Sequence, residues 1–243
     1  MDWFFSNAKM FNIKSSEIKK MKWPLLATPK KDGIRAFTFS NQALTKTSKP
    51  IPNLHISSML NSLPQCLDGE IIAGDYNQTR MAVMTSAGKP DFTFYIFDYF
   101  LMPEIYIERM AILNELRLPS WCKVLSPILI NNVKEFRIFE KQCLKEKNEG
   151  VILREAKGLS SAGGYKVKKF KDAEAEVIGI KRGKKAVIVQ GINGEFEGKV
   201  FSLAMSGSEA KITDIITYMY QPHGSMAAPR FASVKGIRER IDL

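Results

Sequence analysis

Thr28-Pro29-Lys30-Lys31-Asp32-Gly33-Ile34-Arg35 packs two lysines, a carboxylate, a glycine and an arginine into one short run behind the apolar Trp23-Pro24-Leu25-Leu26. A lysine amine attacks a phosphorus centre only when neutral, yet a free lysine, with a pKa of about 10.4, is protonated at pH 7. Crowding it with other cations, out of bulk water, lowers that pKa. Lys30, which stands in a Lys-x-Asp-Gly context, is therefore the candidate nucleophile. Gly33 lets the backbone turn close to a nucleotide, and Asp32 and Arg35 are placed to hold ribose and phosphate or to order the nucleophile. A solvated charged turn has the same composition, so the reading depends on partners elsewhere in the chain.

Those partners follow in order. Leu44-Thr45-Lys46-Thr47-Ser48-Lys49-Pro50 comes first, then Leu67-Asp68-Gly69-Glu70-Ile71 and Phe94-Tyr95-Ile96-Phe97-Asp98-Tyr99. Asn148-Glu149-Gly150-Val151-Ile152-Leu153-Arg154 and Tyr165-Lys166-Val167-Lys168-Lys169-Phe170-Lys171-Asp172-Ala173-Glu174-Ala175 complete the set. On a strand, Lys166 and Lys168 put both ammonium groups on one face. Taken singly, Phe97 reads as core, Glu149 as a helix end and the two lysines as a charged strand face. Their occurrence together, in register, favours a site.

This order and spacing resemble the covalent nucleotidyltransferases, the polynucleotide ligases and messenger-RNA capping enzymes, and in detail the minimal viral ATP-dependent DNA ligases. The resemblance covers nearly the whole chain, including Ala228-Pro229-Arg230-Phe231 and Gly236-Ile237-Arg238. It implies that Lys30 takes AMP, that Thr28, Arg35, Glu70 and Phe97 line the nucleotide site, and that Lys166 and Lys168 grip the α-phosphate. It implies catalytic roles for Lys30, Asp32, Arg35, Glu70, Lys166 and Lys168, a Mg2+ (or Mn2+) contact at Glu149, and nick-phosphate contacts at Lys46 and Arg154. Two departures stand out. Lys46 occupies a position where the family carries Arg, turning a bidentate grip into a point contact, and the closing motif ends in Leu243 rather than a basic residue.

Short apolar runs from Pro24 to Thr47, at Gly69–Ala73, Phe92–Phe100 and Gly150–Arg154 predict strands. Helices are expected over 54–63, 105–116 and 134–147, the last with Phe136, Phe139, Cys143 and Leu144 on one side, and a helical turn at 15–20. After residue 173 the rhythm changes to short strands at 176–180, 186–190 and 200–205, one helix near 208–220 and a last strand at 230–235. The expected fold is thus α+β: a nucleotidyltransferase domain with antiparallel sheets and helices over 1–173, then a small OB-fold β-barrel over 174–243. Viral relatives insert a long DNA-encircling latch between early barrel strands. Here the matching place holds a basic turn, Lys181-Arg182-Gly183-Lys184-Lys185, whose Lys181, Arg182, Lys184 and Lys185 are candidate DNA contacts.

The chain has 243 residues, 36 basic against 25 acidic, for a net charge of +11, which points to a polyanionic partner. The resemblance makes that partner nicked duplex DNA, with ATP as the other substrate. The start, Met1-Asp2-Trp3-Phe4-Phe5-Ser6-Asn7, lacks a basic n-region and a long apolar run, so a cytoplasmic, monomeric protein without a membrane partner is expected. Three scattered cysteines and two histidines argue against zinc and against a disulfide framework. The expected activity is ATP-dependent sealing of DNA nicks through a lysyl–AMP intermediate. The alternatives are an RNA ligase, a GTP-using capping guanylyltransferase, and a non-catalytic basic nucleic-acid-binding module. The last is disfavoured by the intact Lys30, Glu149, Lys166 and Lys168.

Overall fold

The computed structural model describes residues 10–13, 17–100, 104–155, 163–181, 185–205, 210–221 and 228–238. The chain divides into two compact units, Met1–Lys168 and Lys169–Leu243. The first begins with β1 (Met10–Ile13), a 3-10 turn at Glu17–Lys20, β2 (Leu25–Lys30), β3 (Ile34–Phe39) and β4 (Gln42–Thr45). Next come α1 (Leu54–Asn61), β5 (Leu67–Ile72), α2 (Tyr76–Met84), β6 (Thr93–Tyr99) and α3 (Tyr106–Glu115). It ends with β7 (Cys122–Val124), β8 (Ile128–Ile130), α4 (Val133–Lys145), β9 (Gly150–Arg154) and β10 (Gly164–Lys168). Two five-stranded sheets result, ordered β1-β10-β9-β2-β8 and β4-β3-β5-β6-β7. Their pairings are antiparallel except at β1–β10 and β6–β7.

Strand alternation decides what each face carries. In the first sheet, Leu25, Ala27, Val151, Leu153 and Val167 are buried against Phe136 and Cys143 of α4. Their alternates Thr28, Lys30, Ile152, Arg154, Lys166 and Lys168 fall on the other face. In the second sheet, Ala36, Leu67, Ile71, Phe94 and Ile96 pack with Ile56 and Leu60 of α1 and Met110 and Leu113 of α3. Arg35, Asp68 and Glu70 alternate with them. Each large apolar side chain so buried stabilises by about 1.5–3 kcal/mol, which fixes the polar faces as firmly as the apolar ones.

Helix starts are set by side-chain caps. Asn53 accepts from the Ile56 N–H at 2.9 Å to open α1, and Asn132 accepts from the Glu135 N–H at 3.0 Å to open α4. The helix α2, which the sequence pattern did not announce, opens on a reciprocal capping box between Asp75 and Gln78. Strands β1, β7 and β8 also went unanticipated, being too short for a periodic signal.

The second unit is a closed barrel of β11 (Lys171–Ile180), β12 (Ala186–Gly191), β13 (Val200–Ala204), β14 (Ile215–Gln221) and β15 (Arg230–Arg238), in the order β11-β12-β13-β15-β14. This is an OB-type barrel. Inward Ala175, Val177, Val187, Val189, Phe201, Leu203, Ile216 and Tyr218 fill it. The helix expected near 208–220 is not present. Residues 206–209 lie outside the described residues, and from Ile215 the chain is a strand. Ile216, Tyr218 and Tyr220 are buried at a period of two, and β-branched and aromatic residues fit a pleated, half-buried surface. Lys171–Ala173 already pair with Tyr220–Tyr218 of β14, so the barrel ladder begins three residues before the change of rhythm in the sequence.

Candidate active site

Lys30 closes β2 and faces Gly150 across the ladder. Its carbonyl accepts a hydrogen bond from the Glu149 N–H at 2.8 Å. The strand after Glu149 can lie this close to β10 because residue 150 has no side chain: a Cβ there would sit 2.0 Å from the Val167 carbonyl oxygen. The Glu149 carboxylate then lands on the candidate nucleophile. Its Oε2 accepts from Lys30 Nζ and its Oε1 pairs with Lys168 Nζ. Burial by itself would raise the Glu149 pKa, but the two ammonium groups hold it below the ordinary carboxylate range. Lys166 is half-buried on the same face as Lys168. Burial first, then the charges of Lys30, Lys46, Arg35 and Lys168, push its pKa down.

The second sheet supplies the remaining groups. Arg35 lies opposite Glu70 in the β3–β5 register, and its guanidinium grips the fully buried Asp68 with two bonds, Nε donating to Oδ1 at 2.9 Å. Such a bidentate pair fixes both position and orientation. Glu70 accepts from the Gly33 N–H, and burial pushes its pKa up to about 7 against the pull of Lys30 and Arg35. Gly33 is required by close approach, since a Cβ would lie 2.2 Å from the Ile71 carbonyl oxygen.

Phe97 owes its direction to a bulge. Asp68 pairs with Asp98 and Gly69 with Ile96, so Phe97 is the extra, unpaired residue of β6. A bulge re-aims a side chain, and this one turns the Phe97 ring into a cavity lined also by Thr28, Lys30, Arg35, Glu70, Arg154 and Lys166. Pro29, Leu125 and Ile152 provide apolar wall, and Lys31 stands at the same cavity. Arg154 is 7 % exposed, and its Nε and Nη1 have no hydrogen-bond partner. Its guanidinium instead lies over aromatic faces, 4.7 Å from the Tyr106 ring centre and 5.8 Å from that of Phe97.

Six residues expected at a nucleotide site, and Arg154, expected at the nick phosphate, thus come together at one cavity, with Glu149 and Lys168 joined to it through Lys30. Asp32 lies in the turn after β2 and is not part of the lining. Lys46 is exposed beyond β4, near enough for its charge to act on Lys166. Lys181 and Lys185 are exposed in the barrel unit, while Arg182 and Lys184 lie outside the described residues. Lys31 Nζ donates to Asn148 Oδ1 at 2.8 Å and sits 4.3 Å over the Tyr95 ring. The residues that hold the site went unnoticed in the sequence: Asp68, Asp98, Arg109 and Tyr106. The one available signal was charge inside apolar strands, as in Leu67-Asp68-Gly69 and Phe97-Asp98-Tyr99.

Among the described residues no group of three or more His, Cys, Asp or Glu side chains gathers to cage a metal. Glu149 alone sets a carboxylate beside Lys30. That donor set suits Mg2+, which binds through one or two carboxylates together with substrate phosphates.

A cation-rich cleft on two mostly antiparallel sheets, with a lysine at its centre and an OB-type barrel following, is the architecture of a covalent nucleotidyltransferase. No protein-family model matches the chain, and no curated protein matches it. Solved structures do. The chlorella virus DNA ligase-adenylate is similar at 28% identity over 97% of this chain and 100% of that one, with a TM-score of 0.58. A Lig E DNA ligase matches 95% of this chain and 99% of its own at 21% identity and a TM-score of 0.77. The ATP-dependent DNA ligase of bacteriophage T7, solved with ATP, matches 96% and 99% at 13% identity and a TM-score of 0.52. The chain has the ATP-dependent DNA ligase fold.

Proposed function

We propose that this protein is an ATP-dependent ligase that seals nicks in duplex DNA, acting on ATP with a divalent cation. The observation that carries the reading is the convergence of Lys30, Phe97, Glu70, Arg35, Arg154 and Lys166 on one cavity. It is supported by end-to-end likeness to the chlorella virus ligase-adenylate. The nucleotidyltransferase domain is assigned to the first compact unit and the OB domain to the second, a boundary a few residues before the 173/174 expected from the sequence.

Phe97, aimed by its bulge, stacks on adenine, and Thr28 and Glu70 hold the base and ribose. Lys30, once its ammonium has given up a proton to solvent, attacks the α-phosphorus in line. A Lys30 Nζ–P bond forms, the bond to the pyrophosphate oxygen breaks, and pyrophosphate leaves with its electron pair. Lys166 and Lys168 face the α-phosphate and neutralise charge that builds there. A divalent cation held at Glu149 would supply further neutralisation of the phosphates. Arg35 and Arg154 then present the 5′-phosphate of the nick, whose oxygen takes AMP from Lys30. The 3′-hydroxyl finally displaces AMP. Nothing here asks for strong acid–base residues, because positioning and charge neutralisation do most of the catalysis.

The test is to incubate the protein with α-labelled ATP or GTP and magnesium and find which label stays on the denatured chain. AMP on Lys30, lost in Lys30→Ala with the fold intact, is expected, together with sealing of a nicked duplex. Labelling by GTP would make the protein a guanylyltransferase. Absence of any label would leave the basic binding module.

A further inference from the structure

Tyr106, the first residue of α3, is 1 % exposed and is not part of the cavity lining, yet both ends of its side chain reach residues that are. Its hydroxyl donates to the Phe97 carbonyl at 3.2 Å. Phe97 is the bulge residue of β6, without a ladder partner on β5, so a side chain from outside the sheet holds its backbone. The Tyr106 ring face, meanwhile, lies 4.7 Å from the guanidinium carbon of Arg154. Arg154 is nine-tenths buried with two of its nitrogens unpaired, so this aromatic contact is a main restraint on where it points. The position of Tyr106 is itself secured one turn along α3. Arg109 donates to both oxygens of the buried Asp98, at 2.9 and 3.1 Å, and to the Glu104 carbonyl at 2.7 Å. Asp98 follows Phe97 directly, so this ion pair pins α3 to the bulge.

We propose that Tyr106 is a positioning residue with two tasks, its hydroxyl chiefly setting the base-stacking Phe97 and its ring, with a lesser contact from the hydroxyl, setting the anion-binding Arg154. The inference rests on the ligase reading. On that reading Phe97 matters most while free ATP is captured, and Arg154 while the adenylylated nick is sealed. One side chain therefore tunes two steps, and its two ends weigh on them to different degrees.

Tyr106→Phe keeps the ring and deletes the hydroxyl. It should raise the apparent KM for ATP in self-adenylylation by about five-fold, the scale of one neutral hydrogen bond. Sealing of a nick adenylylated beforehand should fall by less than the ATP step does, because the ring, the larger part of the Arg154 contact, is kept. Tyr106→Leu deletes both, and should add a loss of about ten-fold or more in that sealing step, a desolvated cation–π contact being worth this much. The Tyr106→Leu, Arg154→Ala double variant should seal no more slowly than Arg154→Ala, because the ring acts through Arg154. Thermal melts check the folding of each variant. If Tyr106→Phe matches the parent in ATP KM, or if the two losses multiply in the double variant, the inference is overturned. If Tyr106→Leu is too unfolded to assay, Tyr106→Phe alone decides, through the split between KM and nick sealing. A parent chain that takes no label from ATP sinks the ligase reading, and the inference with it. A labelled parent with an unaffected Tyr106→Phe sinks the inference alone.

Discussion

Phe97 and Glu70 show how single residues are set by their surroundings. The Phe97 ring enters the cavity because its backbone bulges, so replacing it removes a stacking face without breaking a ladder pair. Phe97→Ala should raise the ATP requirement of self-adenylylation by about five-fold or more, base stacking being worth roughly 1–3 kcal/mol. Sealing of pre-adenylylated DNA should suffer less, and an unchanged ATP dependence would make Phe97 a core residue. Glu70 allows a pH test. Burial lifts its pKa from 4.5 to about 7, so the folded chain binds the extra proton between those values. Its contribution to stability is therefore fully present below about 4.5 and lost as pH rises through about 7. The stability of Glu70→Gln relative to the parent should increase over that window. Parallel stability–pH curves would show that Glu70 is not so perturbed.

Between elements, the decisive junction is β2–β9–β10. Lys30, Glu149 and Lys168 come from three different segments, and their contact depends on β9 and β10 closing tightly at Gly150. Gly150→Ala would put a methyl 2.0 Å from the Val167 carbonyl, which is backbone and cannot rotate away. The strands must part, at a cost of about 1–3 kcal/mol of stability or somewhat more. Glu149 would move with them. Self-adenylylation should fall by at least about a hundred-fold while the protein remains folded, a difference measured by label transfer set against a thermal melt. A variant that adenylylates normally would show that the Glu149 bridge does not depend on this closure.

At the scale of the molecule, the excess of cations has to be reconciled with a barrel whose connections are short, the longest being residues 205–214. On the ligase reading, with no long insertion between β11 and β12, grip on DNA would fall to basic residues such as those of segment 181–185, which carries four cations in five residues. Each phosphate it neutralises should add roughly 0.9 to the slope of log affinity against log salt. Changing Lys181, Arg182, Lys184 and Lys185 to Ser should flatten that slope for nicked DNA by up to about 3–4 units. Self-adenylylation of Lys30, which needs no DNA, should be untouched. Equal slopes for parent and variant would reduce the turn to a solubilising tip. Among the described residues no helix is long and apolar enough to cross a membrane.

Sequence alone picked out residues that the fold gathers at and beside one cavity, because they sit in short local blocks whose chemistry demands particular types: Lys30 before Asp-Gly, Glu149 before Gly150, Lys166 and Lys168 at alternate positions. It also announced most of the strands and helices with strong periodicity, and a change of rhythm close to where the barrel strands begin. What it could not announce were contacts between segments far apart in the chain. Asp68 reads as one polar residue in a strand until the fold sets it against Arg35, and Arg109 reads as a surface helix charge until Asp98 meets it in the core. The strand at Ile215–Gln221 was missed for a related reason. A short apolar run fits helix or strand alike, and only closure of the barrel, burying every second side chain, decides between them. Tyr106 is the extreme case: its role depends on a bulge in β6 and on an arginine from β9, neither of which is local to it.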